Sequence, residues 1–232
     1  MGQPEVQYLE VAGRSIAYRH RMGSGPTLLF LPGYGSDMEG NKALALDAFA
    51  EERGLSLLRF DYSGTGLSAG RFEDGTLGQW LEEALAAADQ VTDGPLIVIG
   101  SSMGGWLALH LALRKADRVK ALVGIASASD FTNWGFTNAD AAVAAGLARG
   151  FWESGQKLLL LDQSIGIDCP VRLLHGELDR DVPLDVAFRT LRALRSADVQ
   201  LLVLKGGGHR LSEPHEIDAI LRTVTELLEH SS

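Results

Sequence analysis

The sequence predicts an α/β fold, a mostly parallel central sheet with helices on both faces, and three observations carry that expectation. Short apolar runs recur at 27–31, 55–60, 95–99, 119–125, 171–175 and 199–205, and stretches of helical spacing separate most of them. Several of these runs are continuously apolar rather than alternating, as strands covered on both faces are. Gly100-Ser101-Ser102-Met103-Gly104 stands where one run meets a helix-like stretch, which places a G-x-S-x-G sequence on a strand-to-helix turn.

Taken in order, 6–11 and 15–21 flank Ala12-Gly13-Arg14 and read as an antiparallel hairpin. The run 27–31 is a short buried strand ending at Pro32-Gly33. Residues 38–52 carry Ala43, Leu44, Leu46, Ala48 and Phe49 at mostly helical spacing, with Gly54 as the stop. A strand over 55–60 and a helix over 76–91, opened by Thr76, lead to the strand 95–99 before the serine. A helix over 103–115 and a strand over 119–125 follow it. Past residue 170 the alternation resumes with a strand at 171–175, a helix over 184–195, a strand at 199–205 and a last helix from 213 to about 229. Right-handed crossovers leave few topologies for such an order. No repeat or low-complexity linker divides the chain, so 1–232 reads as a single domain.

The stretch 130–166 breaks the rhythm. It holds Phe131, Trp134, Phe136, Phe151 and Trp152, an alanine-rich piece over 139–148, and no obvious strand. It reads either as a small cap over a site or as the crossover that packs on the sheet. Residues 158–161 are assigned to the crossover, and the aromatics before them are expected to line or cover a substrate pocket.

The formal net charge of −9 excludes the basic face that a nucleic-acid binder needs. The single cysteine, Cys169, allows no internal disulfide, and its place before Pro170 suggests a buried structural thiol. Residues 1–5 lack the charged-then-apolar pattern of a secretory signal, and no apolar run approaches a membrane span. A cytoplasmic location is expected. The oligomeric state is not legible.

A serine hydroxyl needs a base to become a nucleophile at neutral pH. The turn makes Ser102 the candidate, and Gly100 and Gly104 are needed because a tight reversal leaves no room for a Cβ. Among six histidines, His209 follows a strand within Gly206-Gly207-Gly208, where a loop can reach back toward the serine. His110 lies mid-helix and is expected to be packed. His215 and His230 are expected to be solvated, and His20 sits on the hairpin. His175 ends a strand and is the rival, but it would crowd the loop that holds the acid. Glu177, Asp179 and Asp181 all lie in that loop. Asp179 is favoured, because Asp181 stands at Val182-Pro183 with a turn or cap role. Acyl transfer also needs donors for a developing oxyanion. The backbone N–H groups of Met103 and Tyr34 are assigned to it. Asp61-Tyr62-Ser63-Gly64-Thr65-Gly66-Leu67-Ser68 lacks the phosphate-loop pattern and reads as a turn whose amides Asp61 satisfies. No His/Cys/Asp/Glu grouping has metal-ligand spacing, and neither metal nor cofactor is expected.

Read together, Leu31-Pro32-Gly33-Tyr34 with Asn41-Lys42-Ala43, Arg59-Phe60-Asp61-Tyr62-Ser63-Gly64, Gly100 to Trp106, Cys169 to Gly176, Asp179 with Val182-Pro183, and His209-Arg210 resemble the α/β-hydrolase fold family. The resemblance is to the branch of the mitochondrial palmitoyl-protein thioesterase, also described as mycophenolic acid acyl-glucuronide esterase, and its bacterial relatives. It implies an α/β-hydrolase fold with a short cap between the sixth and seventh strands. It also implies Ser102 as nucleophile, Asp179 as acid and His209 as base. The expected activity is hydrolysis of a small-molecule or acylated ester or thioester, with an apolar acyl group. Cleavage of C–C or amide bonds by the same residues, or ligand binding with little turnover, are the alternatives. An acid-rich chain without a targeting segment fits a bacterial source.

Overall fold

The computed structural model describes residues 2–230; Met1, Ser231, Ser232 and the side chain of His230, with the expectation that it is solvated, lie outside the described residues. Eight strands form one sheet in the order β1-β2-β4-β3-β5-β6-β7-β8. The hairpin is β1 (Gln7–Val11) and β2 (Arg14–Arg21), which joins the sheet antiparallel to β4 (Leu55–Phe60). The remaining pairs are all parallel: β3 (Ser24–Leu31), β4, β5 (Leu96–Ser101), β6 (Val119–Ile125), β7 (Val171–Gly176) and β8 (Val199–Leu204).

The central strands need their apolar runs because both faces are covered. Residues Leu96, Ile97, Val98 and Ile99 are wholly buried, and each such side chain contributes roughly 1.5–3 kcal/mol relative to exposure. One face is covered by α1 (Asn41–Arg53) and α8 (Pro214–His230). The other carries α2 (Leu77–Val91), α3 (Met103–Arg114) and α7 (Leu184–Ala193). Gly54 ends α1 in a left-handed conformation and the Thr76 side chain caps α2 by accepting from Gln79 N–H at 3.2 Å, both as expected. The apolar spacing alone puts the start of α1 at residue 38, whereas the helix starts at 41. Met38 is held outside it: its N–H donates to Asp61 at 2.7 Å and its carbonyl accepts from Arg59 at 2.6 Å. Asp61 also accepts from Leu67 N–H at 2.8 Å, so it satisfies loop amides as its place in the turn suggests. Strand β3 begins earlier than expected, at Ser24, through an irregular pairing between Ser24 and Leu28.

Between β6 and β7 the chain forms three short helices, α4 (Phe131–Trp134), α5 (Ala139–Ala144) and α6 (Arg149–Gln156). This insertion is fastened at both ends. The carboxylate of Asp130, wholly buried, accepts from Leu160 N–H at 2.9 Å and Leu161 N–H at 2.7 Å. The Leu158 carbonyl accepts from Trp106 Nε1 at 3.0 Å and meets His110 Nε2 at 2.8 Å, which ties the end of the insertion to α3. His110 is therefore packed, as its mid-helix position implies. Cys169 is half-buried and burial pushes its thiol up to about 11. Among the described residues no helix is long and apolar enough to cross a membrane.

Burial pulls the His110 imidazole down to about 4, with the Leu158 carbonyl partly opposing it. The folded protein keeps this ring neutral where the unfolded chain, with an ordinary imidazole near 6.5, takes up a proton. The stabilising effect is full above about 6.5 and is lost as pH falls toward about 4. Chemical denaturation of wild type and His110→Gln across this range should show their stability difference falling by up to about 3 kcal/mol toward the acid end. A difference that stays level with pH contradicts the assignment.

Candidate active site

The serine turn joins β5 to α3 in one residue. Ser102 has φ 55° and ψ −120°, a region that non-glycine residues rarely occupy and that costs about 1–3 kcal/mol. The surroundings hold it there. Ser102 N–H donates to the Ile125 carbonyl at 2.8 Å, and the Ser102 carbonyl accepts from Gly105 N–H at 2.9 Å and Ala128 N–H at 3.0 Å. A Cβ on Gly104 would run into the carbonyl oxygen of Leu31, and one on Gly100 into that of Gly104. The flanking glycines thus let three backbone segments meet beneath the hydroxyl.

The loops after β7 and β8 bring the partners. His209 Nε2 lies 3.0 Å from Ser102 Oγ, and His209 Nδ1 lies 2.8 Å from Asp179 Oδ2. The carboxylate can only accept, so Nδ1 carries the proton and Nε2 turns its lone pair to the serine hydroxyl. Asp179 Oδ1 accepts from the N–H groups of Asp181 and Val182, each at 2.9 Å. Burial pushes the Asp179 carboxyl up, but the His209 bond and the two amides outweigh it and hold the group below the usual carboxylate range. It is a fixed anion near neutral pH.

His209, and not His175, is the histidine placed beside Ser102. His175 is 1% exposed, and its Nε2 lies 2.9 Å from the Val182 carbonyl and 3.5 Å from Asp179 Oδ2. It packs beneath the acid's loop instead. Glu177 points elsewhere, accepting from Gly206 N–H at 3.0 Å. Asp181 is exposed and sits in the turn, but it does not cap α7, whose N-cap position is Pro183. The fold does assemble one group with metal-ligand chemistry, contrary to what spacing suggests: ligand atoms of Asp179, Asp181 and His209 lie within 4.8 Å of one another. The facing Asp179 and His209 atoms bind each other, so the serine-facing imidazole already accounts for two of the three groups.

Tyr34 and Met103 both border the space over Ser102. Among the described residues, no protein acceptor takes the N–H of Tyr34 or of Met103. Met103 N–H is free because it opens α3. Tyr34 follows Gly33, whose Cβ position lies only 3.2 Å from Ser102 Cβ.

A cavity of about 490 Å³ opens over Ser102 and His209, with Tyr34 and Met103 in its wall. Phe131, Trp134 and Phe136 line it, as the sequence predicts. Phe151 and Trp152 do not. On α6 the Phe151 side chain turns into the core, 1% exposed, and its ring lies 5.0 Å from Tyr34, 5.3 Å from Trp80 and 5.9 Å from Phe131. Trp152 packs against the core from its edge. The opposite wall, Arg180, Asp181, Val182 and Pro183, went unrecognised in the sequence. Its signal is positional: a chain leaving Asp179 for α7 has to pass the mouth of the site.

Residues 26–148 match the family described as the alpha/beta hydrolase fold. The mitochondrial palmitoyl-protein thioesterase of Homo sapiens is 34% identical over 238 residues, covering 94% of this chain and 78% of the relative. Among solved structures, alpha/beta hydrolase domain-containing protein 10 from mouse superposes with TM-score 0.92 at 32% identity, covering 98% of this chain and 100% of that one. A putative hydrolase from Agrobacterium vitis S4 gives TM-score 0.90 at 35% identity, covering 97% and 98%. The chain belongs to the α/β-hydrolase fold family.

The contact of Gly104 with the Leu31 carbonyl makes a sharp prediction. Gly104→Ala forces β3 and the turn apart, so stability in urea should drop by about 2 kcal/mol or more. Gly94→Ala, where a Cβ meets nothing within 4 Å but φ is 75°, should cost only about 1 kcal/mol.

Proposed function

We propose that the protein is a serine hydrolase of carboxylic esters or thioesters that works through an acyl-enzyme on Ser102. The observation carrying this reading is the unbroken chain from Ser102 Oγ through the His209 ring to the buried Asp179 carboxylate, 3.0 Å and 2.8 Å long. His209 Nε2 takes the hydroxyl proton as Oγ attacks the acyl carbon. Asp179 keeps the ring in the productive tautomer and stabilises the imidazolium that forms. The unpartnered N–H groups of Tyr34 and Met103 hold the oxyanion. The imidazolium then returns its proton to the leaving alcohol or thiol. Water, deprotonated by the same ring, releases the acid and restores the serine.

The insertion acts as a short cap over 130–166, and Phe131, Trp134 and Phe136 favour an apolar acyl group. The human relative's name, a palmitoyl-protein thioesterase, supports thioesters among the substrates. Neither a metal nor a cofactor enters any step.

Nitrophenyl esters of increasing chain length and an S-acyl thioester should be hydrolysed by wild type. Ser102→Ala should lose kcat/KM by about a thousandfold or more, and Asp179→Asn by a similar factor through the wrong tautomer. A fluorophosphonate should label Ser102 in wild type. Retention of most activity by Ser102→Ala, or failure of the label, overturns the reading.

A further inference from the structure

A second cavity, of about 320 Å³, borders the same loop as the acyl pocket, with Pro32, Gly33 and Ser36 in its wall where Tyr34 lines the other. Its walls come from four places: Ser36 in that loop, Lys42 in the first turn of α1, Ser101 directly before the nucleophile, and Arg210 with Ser212 directly after the base. The proposed mechanism uses none of them, and Asn41-Lys42-Ala43 has no role in it.

The chemistry of the walls is that of an anion site. Helix α1 begins at Gly40 with no side-chain cap and no acidic residue in its first turn, so its leading N–H groups and the positive end of its dipole face outward unanswered. Ser101 is 7% exposed, and among the described residues nothing bonds its hydroxyl. Lys42 and Arg210 have no carboxylate within ion-pair distance among the described residues, on a chain of net charge −9. The Lys42 ammonium donates to the Arg210 carbonyl, which leaves it two further donors. Burial lowers the basicity of Lys42; the Glu216 carboxylate partly opposes this and the Arg210 guanidinium adds to it. The one acidic wall residue, Asp37, turns an oxygen to Glu39 N–H at 2.9 Å.

We infer that this cavity binds a phosphate group carried by the leaving alcohol or thiol of the substrate. The inference rests on the serine-hydrolase reading above. Cations, hydroxyls and helix amides converging from four segments suit the several oxygens of a tetrahedral anion. The distance is short. Ser101 and Arg210 are each one residue, about 3.8 Å between Cα atoms, from Ser102 and His209. The phosphate therefore sits only a few bonds from the scissile oxygen or sulfur, as in an acylated glycerol phosphate, rather than at the end of a long carrier arm. The acyl chain occupies the aromatic pocket and the leaving group crosses Gly33.

The test is a matched pair of substrates, octanoylglycerol and octanoylglycerol phosphate, with wild type, Lys42→Gln and Arg210→Gln. Wild type should favour the phosphorylated ester in kcat/KM, mainly through KM, and each variant should lower that preference by about tenfold, the worth of one charge-assisted hydrogen bond. Arg210→Gln separates anion binding from support of the His209 loop, because the Lys42 strut rests on the backbone carbonyl of residue 210 and survives this substitution. Inorganic phosphate titrated into Ser102→Ala should shift the amide resonances of residues 41–43 and compete with the phosphorylated ester in wild type. If phosphate binds but the phosphorylated ester is not preferred, the cavity serves free phosphate and the leaving-group assignment falls. If phosphate does not bind and Arg210→Gln leaves the preference unchanged, the proposal is overturned. Fluorophosphonate labelling of Ser102 in the same preparation tells that failure apart from failure of the serine-hydrolase reading.

Discussion

The left-handed backbone at Ser102 is the constraint on which the other features of the site depend. A side chain at that φ is lifted clear of the sheet edge, where a histidine from a distant loop can reach it. The conformation is unfavourable by itself, so the sheet has to enforce it. It does so through β6, whose last carbonyl takes the Ser102 N–H, and through β3, whose last carbonyls leave no space for a side chain at residue 104. The strand order puts β3 and β6 on either side of β5. The turn is therefore clamped from both sides by parallel neighbours, and the parallel sheet is itself a condition for the exposed hydroxyl.

Much of this was legible in the sequence because the signals were local. Continuous apolar runs gave the buried strands, Gly54 and Thr76 gave helix ends, and G-x-S-x-G at the end of a run gave the turn. That His209 rather than His175 reaches the serine was also readable, since three glycines before one and a crowded loop around the other differ in reach. What was not legible depends on tertiary contacts. The start of α1 is set by Asp61 and Arg59 gripping Met38, a residue more than twenty positions away from either. Phe151 and Phe131 are alike in composition and neighbourhood, yet one is buried and the other lines the cavity, because helix facing within an insertion follows from how it docks. The wall at Arg180–Pro183 carried no composition signal at all.

The insertion between β6 and β7 is bound to the sheet by polar groups as well as by its aromatic face. Asp130 and Leu158 act as two fasteners, each satisfied by more than one partner; Asp130 is wholly buried and Leu158 half-buried. An unpaired carboxylate or carbonyl there would cost more than the hydrogen bonds return, so the two ends are held in an all-or-nothing fashion. The three short helices between them are much too short to be stable alone. Their positions, and with them the positions of Phe131, Trp134 and Phe136, are set by these end contacts and by the aromatic packing beneath.

Tyr34 ties that packing to the chemistry. Its backbone N–H is one of the two donors assigned to the oxyanion, while its ring lies among Phe72, Trp80 and Phe151 at centroid distances of 4.9, 5.9 and 5.0 Å. Rings in edge and tilted contact resist sliding past one another, because each displacement loses dispersion on one side and meets repulsion on the other. An amide attached to such a ring has little freedom to swing away from the serine. Phe151, which does not line the cavity itself yet packs between Tyr34 and Phe131, thus links two residues of the cavity wall. A change in how the insertion packs around Phe151 would be felt at the Tyr34 ring and, through it, at the Tyr34 amide.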